Sequence, residues 1–147
     1  MTAALQTPFG PVGLRVAQGR IRALVWDAAG DDDPLALEGL RQLAGYFDGT
    51  RQDFDLPLDW GAGLNGAVRR AMVAIPFGET RTYGQIARAL GAPAQAVGQA
   101  CGANPIPLII PCHRVLGAKT LGGFSAPGGV ETKVALLRHE CAAGLLL

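Results

Sequence analysis

Three prolines within seven positions, Pro105, Pro107 and Pro111, bracket the apolar run Leu108-Ile109-Ile110 and deliver the chain to Cys112, His113 and Arg114. Each proline fixes its own φ, removes an amide donor and steers the preceding residue away from the α region, so neither a helix nor a central strand can cross this stretch. The segment therefore reads as extended and rigid, with Leu108 to Ile110 buried and Cys112 emerging from a fixed support. A thiol attacks as its thiolate, which needs a nearby base or positive potential, and His113 and Arg114 follow directly. An inert buried cysteine and a zinc ligand are the competing readings. Zinc wants about four ligands in closely spaced pairs. Cys101, Cys112, His113, His139 and Cys141 do not form such pairs, so no metal site and no cofactor is expected.

At 147 residues the chain has room for one ordinary domain or two very small ones sharing a seam. Apolar residues make up 49% and charged residues 17%, the balance of a globular protein rather than a disordered one. The first ten residues lack a basic stretch followed by an apolar run, and no stretch approaches the length of a membrane span. Three cysteines are an odd, sparse set that suits a reducing compartment. The expectation is a cytoplasmic protein without membrane contact. Net charge is only +1, but residues 1–60 hold five Lys and Arg against nine Asp and Glu, whereas residues 61–147 hold eight against three. The second part is the candidate polyanion-binding part, though uneven surface charge without a partner explains the split equally well.

Along the chain, Val12–Val16 and Ile21–Trp26 alternate around Gln18-Gly19, the pattern of a β-hairpin. Asp33 can cap a helix opened by Pro34, with Leu40, Leu43, Ala44 and Phe47 at helical spacing and Gly49 as its stop. Phe54, Leu56 and Leu58 alternate as a further strand. From Leu64 the period turns helical through Val68, Ala71, Met72 and Ile75, ending at Pro76-Phe77-Gly78. Thr82 and Gln85 have capping-box spacing for a short helix from Tyr83 to Leu90, with Gly91 as its terminator. After a short turn a second helix is expected from about Gln95 to Cys101, built from small residues that permit close backbone approach. That is a helix-turn-helix outline, yet helix pairs that do not read DNA greatly outnumber those that do.

The string Pro111-Cys112-His113-Arg114-Val115 resembles the signature of the O6-alkylguanine-DNA alkyltransferase family, also called methylated-DNA-protein-cysteine methyltransferases. The likeness runs collinearly from Ile75-Pro76-Phe77-Gly78-Glu79-Thr80 through Tyr83-Gly84-Gln85-Ile86-Ala87, Ala96-Val97-Gly98 and Asn104-Pro105 to Gly122-Gly123-Phe124-Ser125 and His139-Glu140. Thr7-Pro8-Phe9-Gly10-Pro11 resembles, more weakly, the opening of the family's variable companion domain. The resemblance implies a mixed α/β (α+β) fold. Residues 1–60 would form a small ribonuclease-H-like companion domain, and residues 61–147 a helical domain with a winged-helix-like helix-turn-helix carrying the alkyl acceptor.

By the same resemblance Cys112 would accept an alkyl group from O6 of guanine, or O4 of thymine, in double-stranded DNA. His113 would draw off its proton through a water, Glu140 would orient His113, Asn104 would brace the turn, and Tyr83 would press on the target phosphate and protonate the leaving base. The Val115 carbonyl and the backbone around Ser125 would bind the flipped base, with Phe124 near its ring. Gln95, Ala96, Gly98 and Arg114 complete the expected DNA-contacting set, in the minor groove. A thioether has no carbonyl for water to attack, so the protein would act once, as a monomer. Three departures stand out. Gln95 replaces the family's usual arginine, Gly102-Ala103 stands where a basic residue is common, and Leu64-Asn65 with Arg69 replaces an aromatic-polar pair and a tryptophan. Weaker and less salt-sensitive DNA binding is expected, the slope falling by about one per lost phosphate contact. The rival is a non-catalytic module that recognises alkylated DNA, as alkyltransferase-like relatives without the acceptor cysteine do. A transcription regulator would need an effector or dimer interface, and a cysteine hydrolase would need turnover; nothing in the sequence points to either.

Overall fold

Gln18 and Gly19 both take positive φ, 53° and 74°, the pairing that a two-residue type I′ turn demands and that suits the twist of flanking strands. They reverse β2 (Gly10–Ala17) into β3 (Arg20–Trp26), and β1 (Leu5–Thr7) adds to the other edge of β2, giving an antiparallel sheet in the order β1-β2-β3. A bulge between Arg15 and Val16 shifts the register so that Val12 and Leu14 face Trp26 and Leu24 while Val16 faces Ile21. The computed structural model describes residues 2–143, and the chain divides into two compact units, Met1–Asp59 and Trp60–Leu147.

In the first unit α1 (Pro34–Asp48) lies on the sheet. Asp33 accepts from the Ala36 amide, Pro34 occupies the first turn, and Gly49 closes the helix at φ 87°. Its face Ala36, Leu40, Leu43 and Tyr46 joins Val12, Leu14, Ile21 and Leu24 in the core. Gly13 and Gly30 let two backbones touch, since a Cβ at either would collide with the other segment. The alternating run Phe54-Leu56-Leu58 is not a strand. Leu58 makes a single bridge with Ile21, and Pro57, lacking an N–H, cannot extend a ladder. The Asp55 backbone bonds the Gln42 carboxamide instead, its N–H at 2.9 Å and its carbonyl at 3.1 Å.

The second unit begins with α2 (Gly63–Val73), whose Val68 and Met72 are fully buried. Arg69 is also buried, its guanidinium donating to the Trp60 carbonyl at 3.0 Å. A two-residue strand β4 (Arg81–Thr82) leads straight into α3 (Tyr83–Leu90), and the Thr82/Gln85 capping box is complete in both directions. Gly91, at φ 66°, turns the chain into α4 (Ala94–Gly102), which packs on α2 and α3 through Val97, Ala100 and Cys101. β5 (Val115–Leu116) pairs in parallel with β4, and α5 (Val130–His139) follows two glycines of positive φ. The mixed α/β class with a helix-turn-helix is thus the observed one. No described helix is long and apolar enough to cross a membrane.

Candidate active site

Asn104 organises the proline-bracketed loop. Its Oδ1 accepts from the Ile106 amide at 3.0 Å and its Nδ2 donates to the Ile110 carbonyl at 2.9 Å, while the Ile110 amide reaches back to the Ile106 carbonyl at 2.9 Å. Ile106 and Leu108–Ile110 are buried, as expected for the apolar run, but the loop is coiled rather than extended. Leu108 sits at φ 72°, a conformation costing a branched residue about 1–2 kcal/mol, held because the surrounding bonds and burial over-determine it. Pro111, at φ −81° and ψ 68°, forms an inverse γ-turn closed by the Cys112 amide on the Ile110 carbonyl at 2.8 Å. Cys112–Arg114 then make one 3₁₀ turn. The pairing of Arg81 with Val115 brings this turn beside the start of α3, hence beside Tyr83.

Cys112 opens onto a cavity of about 340 Å³, lined also by Tyr83, Gly98, Cys101, Gly102, Gly123, Phe124 and Ser125. Burial pushes its thiol up, opposed by a hydrogen bond from Asn104 and the positive charge of Lys133. Behind it His113 is fully buried, with Nε2 at 2.6 Å from Glu140 Oε2. Nδ1 of His113 has no hydrogen-bond partner among the described residues. Burial pushes the imidazole down, outweighing the pull of Glu140 in the other direction. Burial would raise the Glu140 carboxyl, but bonds from His113 and Arg114 bring it down to about 2. Burial also raises the Tyr83 hydroxyl, with the neighbouring Cys101 and Cys112 adding to the effect.

The expected residues fall into three places. Cys112, Tyr83, Gly98, Phe124 and Ser125 share the cavity wall, and the Ser125 hydroxyl donates to the Gly102 carbonyl at 3.3 Å. Asn104, His113 and Glu140 stand behind the cysteine. Gln95 is exposed and Ala96 half-buried on α4, away from the cavity lining. Arg114, expected at the DNA surface, points inward. It is 5% exposed and bonded to Glu140 and to the Ile75 carbonyl.

Two participants were not foreseen. Lys133, fully buried on α5, donates to the Val115 carbonyl at 2.6 Å and the Gly123 carbonyl at 3.2 Å, and its ammonium lies 5.9 Å from the Tyr83 ring centre. It ties α5, β5 and the Gly122–Gly123 loop together around the cavity, and burial lowers its pKa. Cys101 is the second thiol on the wall, pushed up to about 12 by burial and by Cys112. A lysine among aliphatic helix residues gives no sequence signal for burial. Cys101 could have been flagged from its place on the second helix.

Together these features define a helix-turn-helix protein whose second helix walls a pocket floored by a buried cysteine, with a histidine–glutamate pair behind the thiol. The chain belongs to the 6-O-methylguanine DNA methyltransferase family: residues 64–142 match the family described as "6-O-methylguanine DNA methyltransferase, DNA binding domain". A methylated-DNA–protein-cysteine methyltransferase of Mycobacterium bovis is 49% identical over 113 residues, 74% of this chain and 67% of that one. Another, of Methanosarcina acetivorans, is 38% identical over 152 residues, covering 94% of this chain and 96% of that one. Among solved structures, Mycobacterium tuberculosis OGT in complex with DNA superposes with a TM-score of 0.84 at 38% identity, over 94% of this chain and 91% of that one.

Proposed function

We propose that this protein repairs DNA by moving an alkyl group from O6 of guanine in a duplex onto Cys112, once per molecule. The observation that carries the reading is the buried thiol at the wall of a base-sized cavity, backed by the His113–Glu140 pair. O6 of guanine lies inside the duplex, so the base must leave the stack, at a cost of a few kcal/mol. Its fit beside Cys112 follows from the wall of glycines Gly98, Gly102 and Gly123 with Phe124. His113, through a bridging water, takes the thiol proton; Cys112 Sγ bonds to the alkyl carbon as the carbon–O6 bond breaks; Tyr83 supplies the proton that leaves guanine neutral. Asn104 steadies the turn, and the backbone around Ser125, on the cavity wall, meets the base edge; the Val115 carbonyl, expected there too, is buried and held by Lys133 instead. The product is a thioether, and the acceptor is spent.

Residues 61–147, within the second unit, would carry both DNA binding and acceptance. α4 would face the minor groove, its small residues Ala96 and Gly98 allowing close approach and Gln95 standing near the gap the flipped base leaves. Gln95 can bond an orphaned base as donor and acceptor but brings no charge. The thiols of Cys101, Cys112 and Cys141 are free, which suits the reducing cytoplasm, where the protein would work as a monomer.

The test is intact mass after mixing with an oligonucleotide duplex containing O6-methylguanine. A gain of one methylene that disappears in Cys112→Ser is expected. Duplex binding without mass gain would make the chain a damage-recognition module instead, and neither binding nor gain would sink both readings.

A further inference from the structure

Arg114 takes no part in the transfer step described above, yet its guanidinium makes three hydrogen bonds inside the protein. Nε donates to Glu140 Oε1 at 2.8 Å, the NH2 nitrogen to Glu140 Oε2 at 3.1 Å, and the NH1 nitrogen to the Ile75 carbonyl at 2.7 Å. The first two form a fork on the carboxylate, a geometry that a lysine cannot reproduce. The third anchors the fork to the end of α2, and the Phe77 ring lies 5.8 Å from the guanidinium carbon. The oxygen that meets the NH2 nitrogen, Oε2, also meets His113 Nε2. Guanidinium, carboxylate and imidazole thus form one buried row, with arginine at one end and the histidine behind Cys112 at the other.

We propose that Arg114 is a positioning residue for alkyl transfer: its fork fixes the Glu140 carboxylate against His113, and its buried positive charge leaves the imidazole free to accept the Cys112 proton. This rests on the reading of His113 as the proton acceptor. Without the fork the carboxylate would lose two charged donors and would draw a proton onto the imidazole, which would then be occupied before the thiol reached it. Arg114 neutralises that carboxylate. The charged and titratable groups facing His113 are Glu140 and Lys133 from α5 and its C-terminal cap, and Arg114 and Cys112 from its own turn. From the segment after α2 come the Ile75 carbonyl and the Phe77 ring, both against the Arg114 guanidinium. Lys133 and Arg114 both oppose protonation of His113, but only Arg114 touches the carboxylate.

The experiment measures the single-turnover rate of methyl transfer, by intact mass, from an O6-methylguanine duplex across the pH range in which histidine titrates. The parent, Arg114→Met, Arg114→Lys and His113→Gln are compared, with thermal melting and duplex affinity measured for each. In Arg114→Met the acid limb of the rate profile is expected to move up by about one pH unit, making transfer about tenfold slower on that limb, with duplex affinity unchanged. Arg114→Lys restores the charge without the fork, so its limb returns toward the parent's while its plateau stays below it. An unmoved limb in a folded Arg114→Met, or a loss that lies in duplex affinity rather than in rate, overturns the proposal. Should Arg114→Met fail to fold, Arg114→Lys decides: a reduced plateau supports the fork, and parental kinetics overturn it. An acid limb that survives in His113→Gln removes the proton-acceptor reading beneath the proposal, and that outcome is separate from any behaviour of the Arg114 variants.

Discussion

Asn104 is the residue whose loss the loop can least absorb. Asn104→Ala would leave the buried Ile106 amide without its partner and the Ile110 carbonyl with the Cys112 amide as its remaining donor, at about 1–3 kcal/mol of stability, and would strip one hydrogen bond from the Cys112 thiol. A lower Tm together with slower transfer at unchanged duplex affinity is expected, and full-rate transfer would show that the brace is dispensable. At this scale the family motif named Cys112, His113, Asn104, Glu140 and Tyr83, because a five-residue string and its flanking matches are local. Arg114 and Lys133 were misplaced or overlooked for one reason. Long charged side chains are almost always at the surface, and only a partner supplied by distant sequence makes their burial tolerable. For Arg114 that partner is Glu140, and for Lys133 it is a pair of backbone carbonyls.

Among the elements, α3 was the most legible. Its capping box and its terminal glycine are both written in neighbouring residues. α5 went unread because its buried stripe is Thr132, Lys133, Leu136 and Leu137, two of whose four members are polar and hide the apolar period. Phe54–Leu58 read as a strand because alternation is also what a chain segment shows when it lies singly across a core; that its backbone bonds the Gln42 side chain and makes one bridge to Ile21 rather than a ladder is a tertiary fact. On α4, stability and binding can be separated. A Cβ at Gly98 would meet nothing within 4 Å, so Gly98→Ala should stabilise the helix by up to about 1 kcal/mol. The methyl group also intrudes on the cavity wall, so transfer should slow while Tm rises. Gln95→Arg on the same helix should leave Tm unchanged, tighten binding to lesion DNA and steepen its salt slope by about one. Unchanged affinity would remove Gln95 from the interface.

For the whole molecule, acid should be destabilising in two stages. His113 has a folded pKa below its ordinary 6.5, so the unfolded chain takes up a proton first and stability falls as pH drops below about 6.5. Glu140 is held down from 4.5 to about 2, so its contribution, on the order of a few kcal/mol, is intact above 4.5 and lost as pH falls toward 2. Tm measured against pH should therefore begin to decline below 6.5 and steepen below 4.5. A flat Tm down to 4.5 would mean that His113 is not buried uncharged. By itself the sequence determined what short-range chemistry can determine: the hairpin at Gln18-Gly19, the caps of α1 and α3, the stiffness around Pro105–Pro111, the excess of basic residues after residue 60, and a family signature around Cys112. The tertiary structure alone decided what surrounds that cysteine. Glu140 lies 27 positions from His113, Ile75 lies 39 from Arg114, and Val115 lies 18 from Lys133. Buried charges and carbonyls choose partners by proximity in a low-dielectric interior, and that proximity exists only once β4 and β5 pair and α5 folds back against the Cys112 turn.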